Sequence, residues 1–286
     1  MADGKHFVFK GVWRATNVLL LLCLAGTVYA AGWEYSVRKY LDGFSDAVVP
    51  ASAAPEQKVE AILLWMRGGP LRAIAKDPDA LPQRDPETTL NYKQLLSVCG
   101  TATNAFLNLA RSSDLNVRRL LLLTPERMTK HVVAEVQLDD KWVIVDPTYR
   151  IMMRDKDGHM LTRRDLQNPV LFAEATSVVP NYPQIYNYTN YAHVRIARLP
   201  MQGLHLRHVL DKIYPGWDEA FDWSLLLERE SLFVLCAFVV GSLFSLFTRG
   251  MLAWYADRRL KIPRFHLREN FLRAGAAFFG APEIKQ

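Results

Sequence analysis

Two stretches without any charged side chain limit what this chain can fold into more than any other feature. Residues 15–33 (ATNVLLLLCLAGTVYAAGW) and 231–248 (SLFVLCAFVVGSLFSLFT) are each apolar over a length that can cross a bilayer as a helix. We expect both to be transmembrane helices. Two alternatives stay open. The second stretch could be a buried core helix, and the first could be a cleaved signal peptide, because basic residues precede it and VYA near its end resembles a signal-peptidase site.

Basic side chains are concentrated outside these two stretches. Residues 1–14 carry three basic side chains and one acidic side chain, and residues 249–286 carry eight basic and three acidic side chains. Residues 34–230, in contrast, carry 24 basic and 25 acidic side chains. Lys and Arg are enriched on the cytoplasmic flanks of membrane helices. The sequence therefore predicts a cytoplasmic N-terminus (1–14), a transmembrane helix (15–33), an extracytoplasmic domain (34–230), a second transmembrane helix (231–248) and a basic cytoplasmic tail (249–286).

The same charge distribution limits the partners of the chain. The net charge of +6 comes from the flanks of the apolar stretches, so a nucleic acid is not the expected partner. The expected partner of the two stretches is the lipid bilayer. The basic tail fits either an interfacial helix on anionic lipid or a solvated helix face.

The three cysteines divide between the apolar stretches and the domain. Cys23 and Cys236 lie in the two stretches, which leaves Cys99 as the only thiol of residues 34–230. A lone cysteine cannot form a disulfide within its domain, so it is inert, intermolecular or reactive.

Hydrophobic periodicity predicts an α+β domain. Apolar residues recur at helical spacing in residues 56–67, 97–112 and 162–175, and a Pro-rich loop is predicted from residue 68 to residue 92. Short apolar runs predict strands at Val117–Leu123, 131–138 and 141–145, the last two joined by a tight turn at Asp139 and Asp140. Cys99 then lies in the first turn of a helix, where the helix dipole stabilises a thiolate.

The predicted hairpin supplies partners for such a thiol. If Asp139 and Asp140 form the turn, Asp146 lies opposite Val133, and His131 shares the face of Val133 because side chains alternate along a strand. His131 and Asp146 are then diagonal neighbours within side-chain reach. A base held by a carboxylate is what a nucleophilic thiol requires. Taken singly, His131 could be a surface histidine and Asp146 an ordinary turn residue before proline.

These residues resemble the core of the transglutaminase-like, papain-related superfamily. The resemblance rests on VCG at residues 98–100, the helix that follows, and HVVAEVQLDDKWVIVDPTYR at residues 131–150. It implies an α+β fold in which a Cys-bearing helix packs on an antiparallel sheet. It also implies Cys99 as nucleophile, His131 as base and Asp146 as orienter. Residues after Cys99 and His131 depart from the common pattern of the superfamily, which bears on substrate preference.

The resemblance implies acyl transfer on peptide or protein amides, as a peptidase, an amidase or a cross-linking enzyme. The oxyanion donors expected are the backbone N–H of Cys99 and the side chain of Gln94. No cofactor and no metal is predicted. The alternative is a catalytically silent scaffold or binding module in a complex with another membrane protein, and a third interpretation is an inert Cys99 in an unrelated α+β domain.

Overall fold

The computed structural model describes residues 2–68, 99–193, 206–217, 225–226 and 229–260. The helices are α1 (Ala2–Val48), α2 (Pro55–Arg67), α3 (Cys99–Ser112), α4 (Pro169–Thr176), α5 (Leu206–Ile213) and α6 (Glu230–Tyr255), which continues as a π-helical turn, Ala256–Leu260. The strands are β1 (Val117–Leu123), β2 (Thr129–Leu138), β3 (Lys141–Asp146), β4 (Ile151–Met152) and β5 (Tyr191–Ala192).

The chain divides into two compact units. The helical unit comprises Met1–Val28 with Ala237–Gln286, and the sheet unit comprises Tyr29–Cys236. The predicted domain limits at residues 34 and 230 lie inside the sheet unit, and they stay predictions.

The sheet unit is built on a five-stranded sheet of order β4-β3-β2-β1-β5, in which every neighbouring pair is antiparallel. The hairpin of β2 and β3 pairs Leu138 with Lys141 and Ala134 with Val145, which is the predicted register. Its two turn residues, Asp139 and Asp140, have φ of 46° and 65°. Positive φ at both central positions matches the right-handed twist of the two strands. The α+β class is therefore confirmed.

The two faces of the sheet carry different side chains. On one face, helix α3 packs through fully buried residues such as Phe106 against Ala134 and Val136, together with Ile62 of α2 and Leu41 of α1. On the other face, Leu120, Val133 and Ile144 pack against residues from the C-terminal part of the sheet unit, several of them aromatic: Phe172, Tyr182, Tyr186 and Tyr188. The sheet is thus covered on both sides, and the tyrosines of residues 182–188 lie on the face opposite α3.

A buried ion-pair cluster connects α1 with the start of α6 inside the sheet unit. The Glu34 carboxylate accepts hydrogen bonds from Arg38 (2.7 Å), Arg229 (2.9 Å) and Ser231 (2.7 Å). Arg229 also donates to Asn108 of α3 at 3.5 Å. Glu34 and Arg229 are 4% and 5% exposed, so each charge depends on its partner for stabilisation.

The helical unit contains the apolar parts of α1 and α6. A Cβ atom at Gly26 would lie 2.5 Å from the Phe238 ring, and one at Gly241 would lie 3.0 Å from Cys23 Sγ, so the helices approach closely at glycines. From Gly26 back to Cys23 of α1 the contacts move forward along α6 from Phe238 to Gly241, so the two helices are antiparallel. Over Phe7–Val48 and Glu230–Leu260 they are long and apolar enough to span a membrane.

One predicted element was wrong. The helix predicted for residues 162–175 is a 3₁₀ turn, Asp165–Gln167, followed by the separate helix α4, which begins at Pro169. The side chain of Asn168 accepts a hydrogen bond from the Val170 N–H and caps α4. Proline at the first helical position starts a helix but cannot continue one, which explains the break.

Candidate active site

Helix α3 places Cys99 in its first turn. Residues 101–110 of the helix are all buried, so its position on the sheet is fixed by packing. Cys99 itself is half-buried and packs against four residues of the neighbouring strands: Leu121, Leu123, Val132 and Ala192. None of the three cysteines forms a disulfide. The thiol therefore lies at the positive end of a helix dipole, where the thiolate form is favoured.

The β2–β3 hairpin brings His131 and Asp146 together. Nε2 of His131 and Oδ2 of Asp146 are 2.7 Å apart, and both side chains are fully buried. His131 lies near the start of β2 and Asp146 at the end of β3, on the same face of the hairpin. With Nε2 held by the carboxylate, Nδ1 is the ring nitrogen available for proton exchange with a thiol.

Asp146 accepts hydrogen bonds on both carboxylate oxygens. Oδ1 accepts from the backbone N–H groups of Thr148 (3.0 Å) and Tyr149 (3.3 Å), which follow Pro147 in a turn. Oδ2 accepts from the Tyr182 hydroxyl at 2.7 Å in addition to His131. Burying a carboxylate without such donors would be costly, and these four donors give both of its oxygens hydrogen-bond partners.

The charges around His131 favour the imidazolium. Burial lowers the pKa of His131, but the charge and hydrogen bond of Asp146, together with a hydrogen bond and charge from Cys99, outweigh burial and raise that pKa to about 9. At neutral pH the ring is then protonated. An imidazolium beside a thiol favours the thiolate, so the arrangement suits a thiolate–imidazolium pair.

Aromatic rings surround the His131–Asp146 pair. The Tyr186 ring stacks on the His131 ring with centroids 4.2 Å apart and an interplanar angle of 3°. Tyr182 packs against Tyr149 and Tyr186, and burial and the Asp146 charge raise the pKa of Tyr182 far above its ordinary value. Its hydroxyl therefore keeps its proton and donates it in the hydrogen bond to Asp146.

Sequence reasoning missed the roles of these tyrosines. Residues 181–191 contain four tyrosines, an unusual density for a loop, and that density was the available signal. Their spacing follows neither the helix period nor the strand period, so periodicity could not assign them to a face.

A second polar cluster lies beside the start of α3. Arg119 donates to the Gly100 carbonyl at 3.4 Å, and the Arg119 carbonyl lies 2.7 Å from Nδ1 of His193. Nε2 of His193 is 3.8 Å from the Glu135 carboxylate, which also binds Arg118. This cluster ties the first turn of α3 to β1 and β2, next to Cys99.

Gln94, predicted as an oxyanion donor, lies outside the described residues. Among the described residues, Asp155, Asp157 and His159 form a group whose ligand atoms lie within 4.8 Å of one another and could hold a metal ion. Asp155 accepts from the His159 backbone N–H, so this group belongs to a local turn after β4. It includes none of the predicted catalytic residues.

The arrangement contains the three groups that acyl transfer by a thiol requires. These are a thiol at a helix N-terminus, an imidazole in contact with it, and a carboxylate that fixes the imidazole. The three roles stay predictions. The first backbone N–H groups of α3 have no partner within the helix and are donors of the kind that stabilise an oxyanion.

Comparison with known proteins gives one match. The model of the transglutaminase-like superfamily matches residues 42–147, a segment that contains Cys99, His131 and Asp146. No curated protein and no solved structure matches the chain. The superfamily generally includes cysteine-dependent acyl-transfer enzymes, and some of its members are inactive. Residues 42–147, less than half of the chain, are therefore similar to the transglutaminase-like superfamily.

Proposed function

We propose that this protein is a membrane-anchored, cysteine-dependent acyl-transfer enzyme that acts on amides of peptides or proteins. The observation that carries the proposal is the buried 2.7 Å hydrogen bond between His131 and Asp146, on an imidazole whose pKa Cys99 helps to raise. A structural histidine would need no thiol beside it. A peptidase or amidase would release the acyl group to water, and a cross-linking enzyme would release it to another amine.

The proposed reaction has two halves. The Cys99 thiolate attacks the amide carbonyl carbon, and backbone N–H groups at the start of α3 stabilise the resulting oxyanion. The His131 imidazolium gives its proton to the leaving amine as the C–N bond breaks, which leaves a thioester and a neutral imidazole. His131 then takes a proton from water or an acceptor amine, which attacks the thioester and releases Cys99 as thiolate. Asp146 stays ionised throughout and holds the imidazole.

We also propose that the apolar parts of α1 and α6 cross the membrane, with both termini in the cytoplasm and the sheet unit outside it. The basic flanks support this orientation. In the helical unit, Arg249 of α6 hydrogen-bonds to Asn17 of α1, and its guanidinium carbon lies 4.8 Å from the Trp13 ring centroid of α1. Such side chains are enriched at the membrane interface. Substrates would then be extracytoplasmic peptides or proteins.

The test is a screen of peptide amides with the full-length chain in nanodiscs, in which mass spectrometry detects a thioester on Cys99. We expect the wild type to accumulate an acyl adduct and to turn over, and Cys99→Ala to do neither. Cys236→Ala is the matched control, because it removes a thiol from α6 and should leave activity unchanged. Equal turnover by Cys99→Ala would refute the assignment of the nucleophile.

A second candidate is a catalytically silent scaffold that binds another membrane protein. The complete burial of His131 and Asp146 favours it, because neither side chain reaches solvent in the described structure. In that case Cys99→Ala would retain the cellular function and the complex, and no thioester would form on the wild type.

A further inference from the structure

We propose that Tyr182 is a positioning residue for the His131–Asp146 pair, setting how tightly His131 holds its proton through the oxygen that both residues share. The proposal rests on the proposed function of this site. It adds a fourth residue to the three that the sequence predicts, and it assigns a role to the Tyr-rich segment at residues 181–191.

The geometry places two donors on one oxygen. Oδ2 of Asp146 is 2.7 Å from Nε2 of His131 and 2.7 Å from the Tyr182 hydroxyl. The other oxygen accepts only from the backbone N–H groups of Thr148 and Tyr149, so among the described side chains Tyr182 is the one that shares the carboxylate with His131. Tyr182 is 4% exposed, and therefore water does not replace its hydroxyl in the folded protein.

Two donors on one carboxylate oxygen change how strongly that carboxylate attracts the His131 imidazolium. The Tyr182 hydroxyl draws negative charge on Oδ2 toward itself, so the carboxylate attracts the imidazolium less than it would with His131 as its only side-chain donor. Loss of the hydroxyl would concentrate the carboxylate charge on His131. The imidazolium would then hold its proton more tightly and become a weaker general acid.

The stacking of Tyr186 on His131 distinguishes a change in the proton affinity of His131 from a change in the orientation of its ring. Because the Tyr186 ring lies parallel to the imidazole with centroids 4.2 Å apart, the orientation of the imidazole does not depend on the Tyr182 hydroxyl alone. Removal of the Tyr182 hydroxyl should therefore change proton affinity more than orientation.

The test follows the rate of Cys99 alkylation by iodoacetamide against pH in the full-length chain, which requires no substrate. The rate should change in two steps, one at thiolate formation and a higher one at loss of the His131 proton. In Tyr182→Phe we expect the higher step to move upward by about half a pH unit to one unit, since a hydrogen bond to a charged group is removed. Turnover on a substrate from the screen should fall by about tenfold.

Two further variants keep the test decisive. Replacement of Tyr182 by 3-fluorotyrosine preserves the ring and makes the hydroxyl a stronger donor, so the higher step should move downward even if Tyr182→Phe folds poorly. Tyr35→Phe, at an exposed position of α1, is the matched control and should leave both steps in place. A merely structural Tyr182 would lower the unfolding temperature without shifting the higher step, and that result would overturn the proposal.

The outcomes for this proposal and for the proposed function differ. A shifted step without any turnover would support Tyr182 as a positioning residue and count against the enzyme. Turnover that depends on Cys99, with an unshifted step in both Tyr182 variants, would support the enzyme and overturn the role of Tyr182.

Discussion

At the scale of single residues, the protonation of His131 decides what the site can do. Asp146 and Cys99 raise its pKa to about 9, whereas burial alone would lower it below 6.5. The imidazolium is therefore the form present at neutral pH, and the raised pKa stabilises the fold below about pH 6.5. That contribution is lost as the pH rises toward 9.

The first prediction concerns the pH dependence of turnover. Because the leaving amine needs the proton of His131, kcat/KM should fall as the pH rises through about 9. In Asp146→Asn the carboxylate charge is lost while burial and Cys99 remain, so the fall should begin at a lower pH than in the wild type and kcat should drop by about 10³-fold or more. The measurement is a pH–rate profile with a substrate from the screen. An alkaline limb at the same pH in both proteins would contradict the role of Asp146.

At the scale of secondary-structure elements, the β2–β3 hairpin determines the geometry of the site. Its two-residue turn sets the register, and the register brings His131 and Asp146 onto one face. Both turn residues have positive φ, a conformation that side chains with a Cβ atom adopt at a cost.

The second prediction follows from that backbone. Asp140→Gly should stabilise the protein by about 0.5–1 kcal/mol, because glycine adopts a φ of 65° without the clash of a Cβ atom. Asp140→Val should destabilise it by about 1–2 kcal/mol, since a β-branched residue is least tolerated there. Thermal unfolding of the purified chain measures both. A lower unfolding temperature for Asp140→Gly than for the wild type would show that the turn conformation is wrong.

The hairpin also shows why part of the site was predictable from sequence. Strand alternation and a two-residue turn together determine which residues of β2 and β3 share a face, so the proximity of His131 and Asp146 could be derived. The contact of Tyr182 with Asp146 depends on a loop that returns to the sheet from 36 residues away, and no local rule encodes it. The break before Pro169 was missed for a different reason, because apolar spacing continued across a residue that stops a helix.

At the scale of the whole molecule, the helical unit offers a direct test of how α1 and α6 pack. The third prediction is that Gly241→Cys forms a disulfide with Cys23 when membranes are oxidised with copper phenanthroline. A Cβ at residue 241 would lie 3.9 Å from the Cβ of Cys23, within the range that disulfides adopt. Mass spectrometry of proteolytic fragments would identify the linked peptides.

The matched control is Gly250→Cys, which lies on the same helix with nothing within 4 Å of its Cβ position and should not link to Cys23. Cys23→Ser in the Gly241→Cys background should abolish the link. Equal linking at positions 241 and 250 would mean that the helices do not pack at Gly241.

The Glu34–Arg229 pair joins side chains 195 positions apart, and this has a practical consequence for anyone who wishes to excise the sheet unit. A fragment that lacks either Glu34 or Arg229 would leave the other residue as a buried charge without its ion-pair partner. A water-soluble fragment should therefore start before Glu34 and end after Ser231. Because Glu34 and Arg229 are in contact, the two termini of such a fragment lie close together. The unit could therefore be grafted into a surface loop of an unrelated host protein through short spacers.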